Sequence, residues 1–268
     1  MNPVSSVITW WLKRRMSQID LVLASPLETQ QQQWKYLLEK GKQTAWGLQF
    51  GYARIDSIEA YKETVPSLSY EDYYLWIERS MRGESDVLWP GRPLAFSKSS
   101  GTTNDRNKFI PVTEDSLEQC HYKGGKDLIS LYLNYRPDSG VLNGKNLAMG
   151  GSLHPNPFQS TEICGDISAV IMQNLPVWAQ WIRTPSLEIA LMDKWEQKIE
   201  RMLETTMSEN VTSLSGVPTW MLVLLNRMLE KTGFQSVRQI WPNLEVFLHG
   251  AVSFTPYREV FKKIIPEK

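Results

Sequence analysis

The chain has 268 residues, enough for one large domain or two modest ones, and its 42% apolar content can fill a core. Its 29 basic and 29 acidic residues cancel, which leaves no one-signed field to draw nucleic acid or an anionic membrane. Two cysteines, Cys120 and Cys164, are too few for a disulfide scaffold or a cysteine-rich metal site, and no run approaches the ~20 apolar residues of a membrane span.

At the N-terminus the apolar run Val7 to Leu12 precedes the basic Lys13-Arg14-Arg15, the reverse of a signal peptide, so a soluble cytoplasmic protein is expected. Residues 1–85 read as a helical region. Ser25-Pro26-Leu27-Glu28 has the form of a capping box with proline at the first helical position. Trp34, Leu37 and Leu38 then give an apolar stripe, and Gly41 stands where a helix-ending glycine belongs. Asp56 with Glu59 repeats the capping pattern, and Val65-Pro66 stops that helix. Ser69 with Asp72 opens a third, with Tyr70, Tyr74, Ile77 and Met81 on its stripe and Gly83 at its end.

The stretch that follows organises the chain. Pro93-Leu94-Ala95-Phe96 reads as a strand leading into Ser97-Lys98-Ser99-Ser100-Gly101-Thr102-Thr103-Asn104-Asp105-Arg106-Asn107-Lys108, and Phe109-Ile110-Pro111 leads out. A glycine lets the backbone turn so that successive N–H groups share one concavity, and the hydroxyls add donors without bulk. Lys98, Arg106 or Lys108 can neutralise an anion there. These residues have the chemistry of a phosphate cradle, and a polar surface turn draws on the same residue types.

After Pro111, Thr113-Glu114-Asp115 caps a longer helix with Leu117, Cys120, Gly124, Leu128 and Leu131 on one face, which makes Cys120 a small core residue. Lys145 to Met149 reads as a strand running into Gly150-Gly151-Ser152, Pro155 to Gly165 as a loop, and Trp178 to Pro185 as an aromatic connector. Trp195, Ile199, Met202, Leu203 and Met207 fall at helical spacing. Val211 to Ser215 reads as a strand ending in Gly216-Val217-Pro218, and the helix Thr219 to Glu230 is apolar nearly all round. Leu244 to Leu248 is a further strand, ending in His249-Gly250-Ala251-Val252, and Thr255-Pro256 starts another helix. Strands alternating with helices at this spacing argue for a parallel βαβ organisation.

Spacing removes several chemistries. Gly125-Lys126 and Gly144-Lys145 lack both the earlier glycine and the following Ser or Thr of a P-loop, and no Gly-x-Gly-x-x-Gly or Gly-x-Ser-x-Gly occurs. The three histidines, His121, His154 and His249, form no close pair for a zinc site. His249 to Val252 follows a strand and precedes a helix, the place where open α/β sheets bind ligands, and a simple strand-to-helix turn accounts for the same residues more readily. Gly216-Val217-Pro218 with Trp220 can wall an apolar pocket, although a plain core helix explains most of the same residues. Eleven tryptophans and ten tyrosines suit a flat organic acid, and ordinary packing accounts for most of them.

Ser99-Ser100-Gly101-Thr102-Thr103, followed by a basic residue and then Phe-Ile-Pro, resembles the ATP-phosphate motif of acyl-adenylate-forming enzymes. Lys108-Phe109-Ile110-Pro111 and the tract before the loop are similar to the auxin-responsive Gretchen-Hagen-type acyl-acid amido synthetases. That tract is Ile58 to Lys62, Val65-Pro66, Tyr70 to Tyr73 and Gly83-Glu84, and the resemblance runs from about Trp34 to the end. It departs from the pattern at Asn104 to Asn107, where a small residue and a glycine are more typical.

The resemblance implies an α/β fold with a mixed or parallel sheet flanked by helices. Residues 1–85 would form a helical region packed on the main domain, and 86–268 a nucleotide-binding portion incomplete at its C-terminus. It implies ATP and Mg2+ as cofactors, and a carboxylic acid and an amine or amino acid as the small-molecule partners. Ser99, Ser100, Gly101, Thr102, Thr103 and Lys108 would hold phosphate, Gly250, Ala251 and Val252 would back the adenine, and Gly216, Val217, Pro218 and Trp220 would line the acid. The family's Tyr-x-x-Ser-Glu-Gly segment, whose glutamate holds Mg2+, and its C-terminal domain have no match before Lys268. No catalytic residue or metal ligand is therefore assigned. The expectation is an N-terminal portion of a ligase, nearly inactive alone, with a non-catalytic nucleotide-binding module or fragment as the alternative.

Overall fold

The computed structural model describes residues 3–99, 108–158 and 161–266. Eight strands are present among them: β1 (Ala95–Ser99), β2 (Lys108–Val112), β3 (Lys145–Ala148), β4 (Leu153–Pro155), β5 (Ile163–Gly165), β6 (Arg183–Thr184), β7 (Val211–Gly216) and β8 (Val246–His249). They form two four-stranded sheets flanked by helices, an α/β fold. The chain divides into two compact units, one of Met1–Lys13, Ile129–Ser152 and Ile171–Lys268, the other of Arg14–Leu128 and Leu153–Val170. This division by packing differs from the split at residue 85, which separated helical from strand-bearing sequence. No helix among the described residues is long and apolar enough to cross a membrane.

The Arg14–Leu128 unit holds a mixed sheet in the order β2-β1-β5-β4, with β1 parallel to β5 and the other pairs antiparallel. Its core is Ile77, Met81, Phe96 and Cys164, ringed by Tyr70, Tyr73, Tyr74, Leu88, Phe109 and Phe158. The helix Tyr70–Met81 supplies two of those four buried residues. Ser69 caps it by accepting from the Asp72 N–H, and Gly83 at φ +87° follows it. Ser57, and not Asp56, caps Ile58–Thr64, because its hydroxyl reaches the Ala60 N–H. Ser25 precedes Pro26–Gly41 but its side chain caps nothing, and Gly41 stays inside that helix. Trp46 meets Phe50, Tyr73 and Trp76 at centroid distances of 4.5, 5.2 and 5.2 Å, so these aromatics are packing residues.

The helix expected after Thr113 is interrupted. Thr113 and Ser116 form a reciprocal capping box, but Leu117–Tyr122 is π-helical before Lys123–Tyr135 resumes the α-helix. The wider turn shifts the face by about one residue. Leu117 is buried as expected, whereas Cys120 is exposed and Leu128 and Leu131 are largely so; Ser130 and Leu133 are buried instead.

The second unit holds an all-parallel sheet in the order β6-β3-β7-β8, with Leu147 beside Leu214 and Ser215 beside Leu248. Its core joins Leu147, Val211 and Leu214 of the sheet to Met202 and Leu203 of the helix Trp195–Thr206 and to Met221, Leu224, Leu225 and Met228 of the helix Pro218–Thr232. That last helix is not buried all round, since Trp220 and Val223 are about half exposed. Thr212 and Ser213 sit in the middle of this apolar sheet because their hydroxyls are bonded, to Val141 O at 2.6 Å and to Asn146 Nδ2 at 2.9 Å. The short β5 and β6 lie in segments expected to be loop and connector, and β4 ends where that loop was expected to begin, at Pro155.

Candidate functional site

β1 and β2 are the two arms of a hairpin, and their register pairs Ser99 with Lys108. Residues 100–107, and with them the candidates Ser100, Gly101, Thr102 and Thr103, lie outside the described residues. Ser99 and Lys108, both half-buried, thus mark the two points where that tract enters and leaves the sheet. Tyr70 fixes the exit strand by gripping Phe109 twice: its hydroxyl accepts from the Phe109 N–H at 2.6 Å and donates to Phe109 O at 3.2 Å. Burial pushes the Tyr70 phenol above its ordinary range, which keeps it a neutral donor. The Lys108 ammonium lies 5.2 Å from the centre of the Tyr70 ring, a cation–π distance. Lys98, one residue before Ser99, pairs with Phe109 in the ladder. Burial raises the Cys164 thiol, and Lys98 draws it partly back.

The remaining candidates meet at the carboxyl edge of the parallel sheet. β3 is followed in the sheet by β6 on one side, whereas β7 leads to β8 on the other, so the strand order reverses between β3 and β7. Open α/β sheets bind ligands at the carboxyl ends of strands at such a reversal. Gly216, Val217 and Pro218 end β7 there, and Trp220 follows in the first turn of the helix Pro218–Thr232. Gly216 has φ +156°, a conformation that side chains disfavour, and a β-carbon added to it would lie 3.8 Å from Met149 Cβ. The tract after β3 and the tract after β7 are therefore contiguous.

Gly250, Ala251 and Val252 stand at the same edge, because Gly216 pairs with His249 at the end of β8. All three are exposed, nothing lies within 4 Å of a β-carbon added to Gly250, and Ala251 is left-handed at φ +70°. His249 stacks on Phe254 at 4.2 Å and 18° between planes. Ala251 and Asp86 are the two non-glycine residues with positive φ among the described residues.

Two residues of these edges were read in the sequence only as parts of helices. Tyr70 was one member of an apolar stripe, and no spacing signals that its hydroxyl holds Phe109. Lys198 was not singled out in the helix read from Trp195 to Met207, yet it falls three residues after Trp195 and four before Met202, on the buried stripe. A lysine on such a stripe is the signal that identifies it.

Over 114 residues the chain is 33% identical to an indole-3-acetic acid-amido synthetase, GH3.15 of Arabidopsis thaliana, which covers 41% of this chain and 18% of that protein. Over 104 residues it is 27% identical to a jasmonoyl–L-amino acid synthetase, GH3.5 of Oryza sativa subsp. japonica, covering 38% and 18%. Its fold matches a solved GH3.15 acyl acid amido synthetase with a TM-score of 0.72 at 16% identity, over 95% of this chain and 55% of the other. A structure of AtGH3.15 in complex with 2,4-DB matches with a TM-score of 0.70 at 15% identity, over 98% and 54%. The chain thus spans about half the length of the solved chains it matches. Residues 15–268 match the family model of the GH3 family N-terminal domain, and the chain belongs to that family.

Proposed function

We propose that this protein serves the ATP-dependent activation of a carboxylic acid and its conjugation to an amine such as an amino acid, the work of an acyl-acid amido synthetase. Family membership supports the class, and relatives named for joining indole-3-acetic acid or jasmonate to amino groups support an acid and an amine as substrates. The observation that carries the reading is the β1–β2 register. By pairing Ser99 with Lys108 it sets a hydroxyl and a cation at the two ends of the hydroxyl-rich tract.

In this reading Ser99, Ser100, Gly101, Thr102 and Thr103 bind phosphate oxygens and Lys108 neutralises their charge. ATP supplies the adenylyl group that turns the carboxylate into a mixed anhydride, with pyrophosphate as the other product. Gly250, Ala251 and Val252 back the adenine, where the exposed turn leaves room for a flat ring. Gly216, Val217, Pro218 and Trp220 line the acid. The protein's contribution is positioning and charge neutralisation. Mg2+ would enter with the phosphates of ATP, which together with water supply most of its ligands; no group of three His, Cys, Asp or Glu side chains that could hold a metal ion is found among the described residues, and no protein ligand or step is assigned to it.

The test compares two lysines in ATP titrations. A charge-assisted contact to phosphate is worth about 1.5–3 kcal/mol, so Lys108→Ala should weaken ATP binding about tenfold or more. Lys98→Ala should weaken it less than about twofold, within the usual range for a surface charge. Equal or reversed losses remove Lys108 from the site. ATP binding by the full-length protein without acid-dependent pyrophosphate exchange would instead indicate a nucleotide-binding module.

A further inference from the structure

The helix Trp195–Thr206 precedes β7 and runs against the parallel strands, so its first turns lie at their carboxyl edge. Lys198, in the second half of its first turn, is only 3% exposed. Its ammonium donates to Gly150 O at 2.9 Å and to Gly151 O at 3.4 Å, the carbonyls of the turn that leaves β3. Lysine is among the residues least often buried, because its charge must be bonded wherever water is excluded. Ile199, Met202 and Leu203 show what the same helix uses for packing alone.

The turn that Lys198 holds is constrained from a second side. A β-carbon at Gly150 would come within 2.6 Å of Met172 Sδ and 3.2 Å of Leu191 Cδ2, so the backbone there is pressed against its neighbours. Met149 donates its N–H to Ser215 O at 3.3 Å, which ties the start of the turn to the end of β7. Each peptide unit is planar, so bonding the two carbonyls fixes the orientation of the Gly150 and Gly151 peptide planes. Lys198 thereby sets the shape of the turn that leaves β3, which the β3–β7 pairing brings close to Gly216 at the end of β7.

We propose that Lys198 is a positioning residue of the ligand crevice: it holds the Gly150-Gly151 turn in the form that accepts the nucleotide and acid. This rests on the function proposed above for that edge. Replacing a residue that positions a ligand lowers ligand affinity in a protein that still folds, whereas replacing one that serves stability alone lowers only stability.

Hydrogen exchange without ligand and ATP titration together test the proposal. In Lys198→Met, exchange over Met149–Ser152 should accelerate about tenfold or more, since the bonds to both carbonyls are lost. ATP affinity should fall by a similar factor while the thermal midpoint stays within about 4 °C of the parent. Lys198→Arg, which keeps the charge and its donors, should recover most of both. Unchanged exchange in the turn overturns the proposal, as does unchanged ATP affinity in a folded Lys198→Met protein. Should that variant not fold, Lys198→Gln, too short to bridge both carbonyls, makes the same comparison. If the parent itself does not bind ATP, the proposed function fails, while the exchange measurement still decides whether Lys198 holds the turn.

Discussion

Gly216 is held at φ +156°, and only ordinary contacts surround the place where a β-carbon would go. Its requirement for glycine is therefore a backbone requirement. Gly216→Ala should cost about 1–3 kcal/mol in denaturant unfolding, the usual range for forcing a side chain into a disfavoured backbone region. The cysteines offer a second test at this scale. Cys120 is exposed and Cys164 is 3% exposed with its thiol raised by burial. A thiol reagent should label Cys120 promptly in the native protein and Cys164 only on unfolding; prompt labelling of both would contradict the placement. Cys120 was expected inside because a regular helix puts it on the Leu117 face. The π-helical turn carries it out, and no residue in Leu117–Tyr122 announces that turn.

Among the elements, helices with hydroxyl caps were legible and very short strands were not. Ser69 and Thr113 cap their helices as the spacing predicts, since each side chain reaches the N–H three residues on. Ser25-Pro26-Leu27-Glu28 has the same form on paper but makes no side-chain cap. Ser69→Ala should thus lower stability by about 1 kcal/mol, and Ser25→Ala by no more than a few tenths, measured by chemical denaturation. β4 and β5 have three residues each and β6 two, too few for alternation to show, and their pairing comes from neighbours distant in sequence. β3, β7 and β8 were visible because each is a short strand-like stretch bounded by turn residues, β7 by its alternation and β8 by its largely apolar Leu244 to Leu248. The same runs placed Gly216 to Pro218 and Gly250 to Val252 at strand ends. That the two tracts share one edge with Gly150-Gly151 follows only from the sheet order, which no local pattern contains.

For the molecule as a whole, the tyrosines set a limit at high pH. Burial pushes Tyr122 up to about 12 and raises Tyr52, Tyr70, Tyr73, Tyr74 and Tyr132 as well. An unfolded tyrosine titrates near pH 10, so above that the unfolded chain gives up protons the folded one retains. Their contribution is intact below about pH 10 and is lost as pH climbs toward 12. The thermal midpoint should fall steeply over that interval, and an unchanged midpoint would contradict the assignment.

The central claim, that the tract between Ser99 and Lys108 holds the phosphates of ATP, is tested most directly by a crystal structure of this protein with ATP or AMP. The account predicts phosphate oxygens within about 2.7–3.2 Å of N–H or hydroxyl groups of residues 99–103. Clear nucleotide density elsewhere, with those residues packed against protein neighbours, would contradict it.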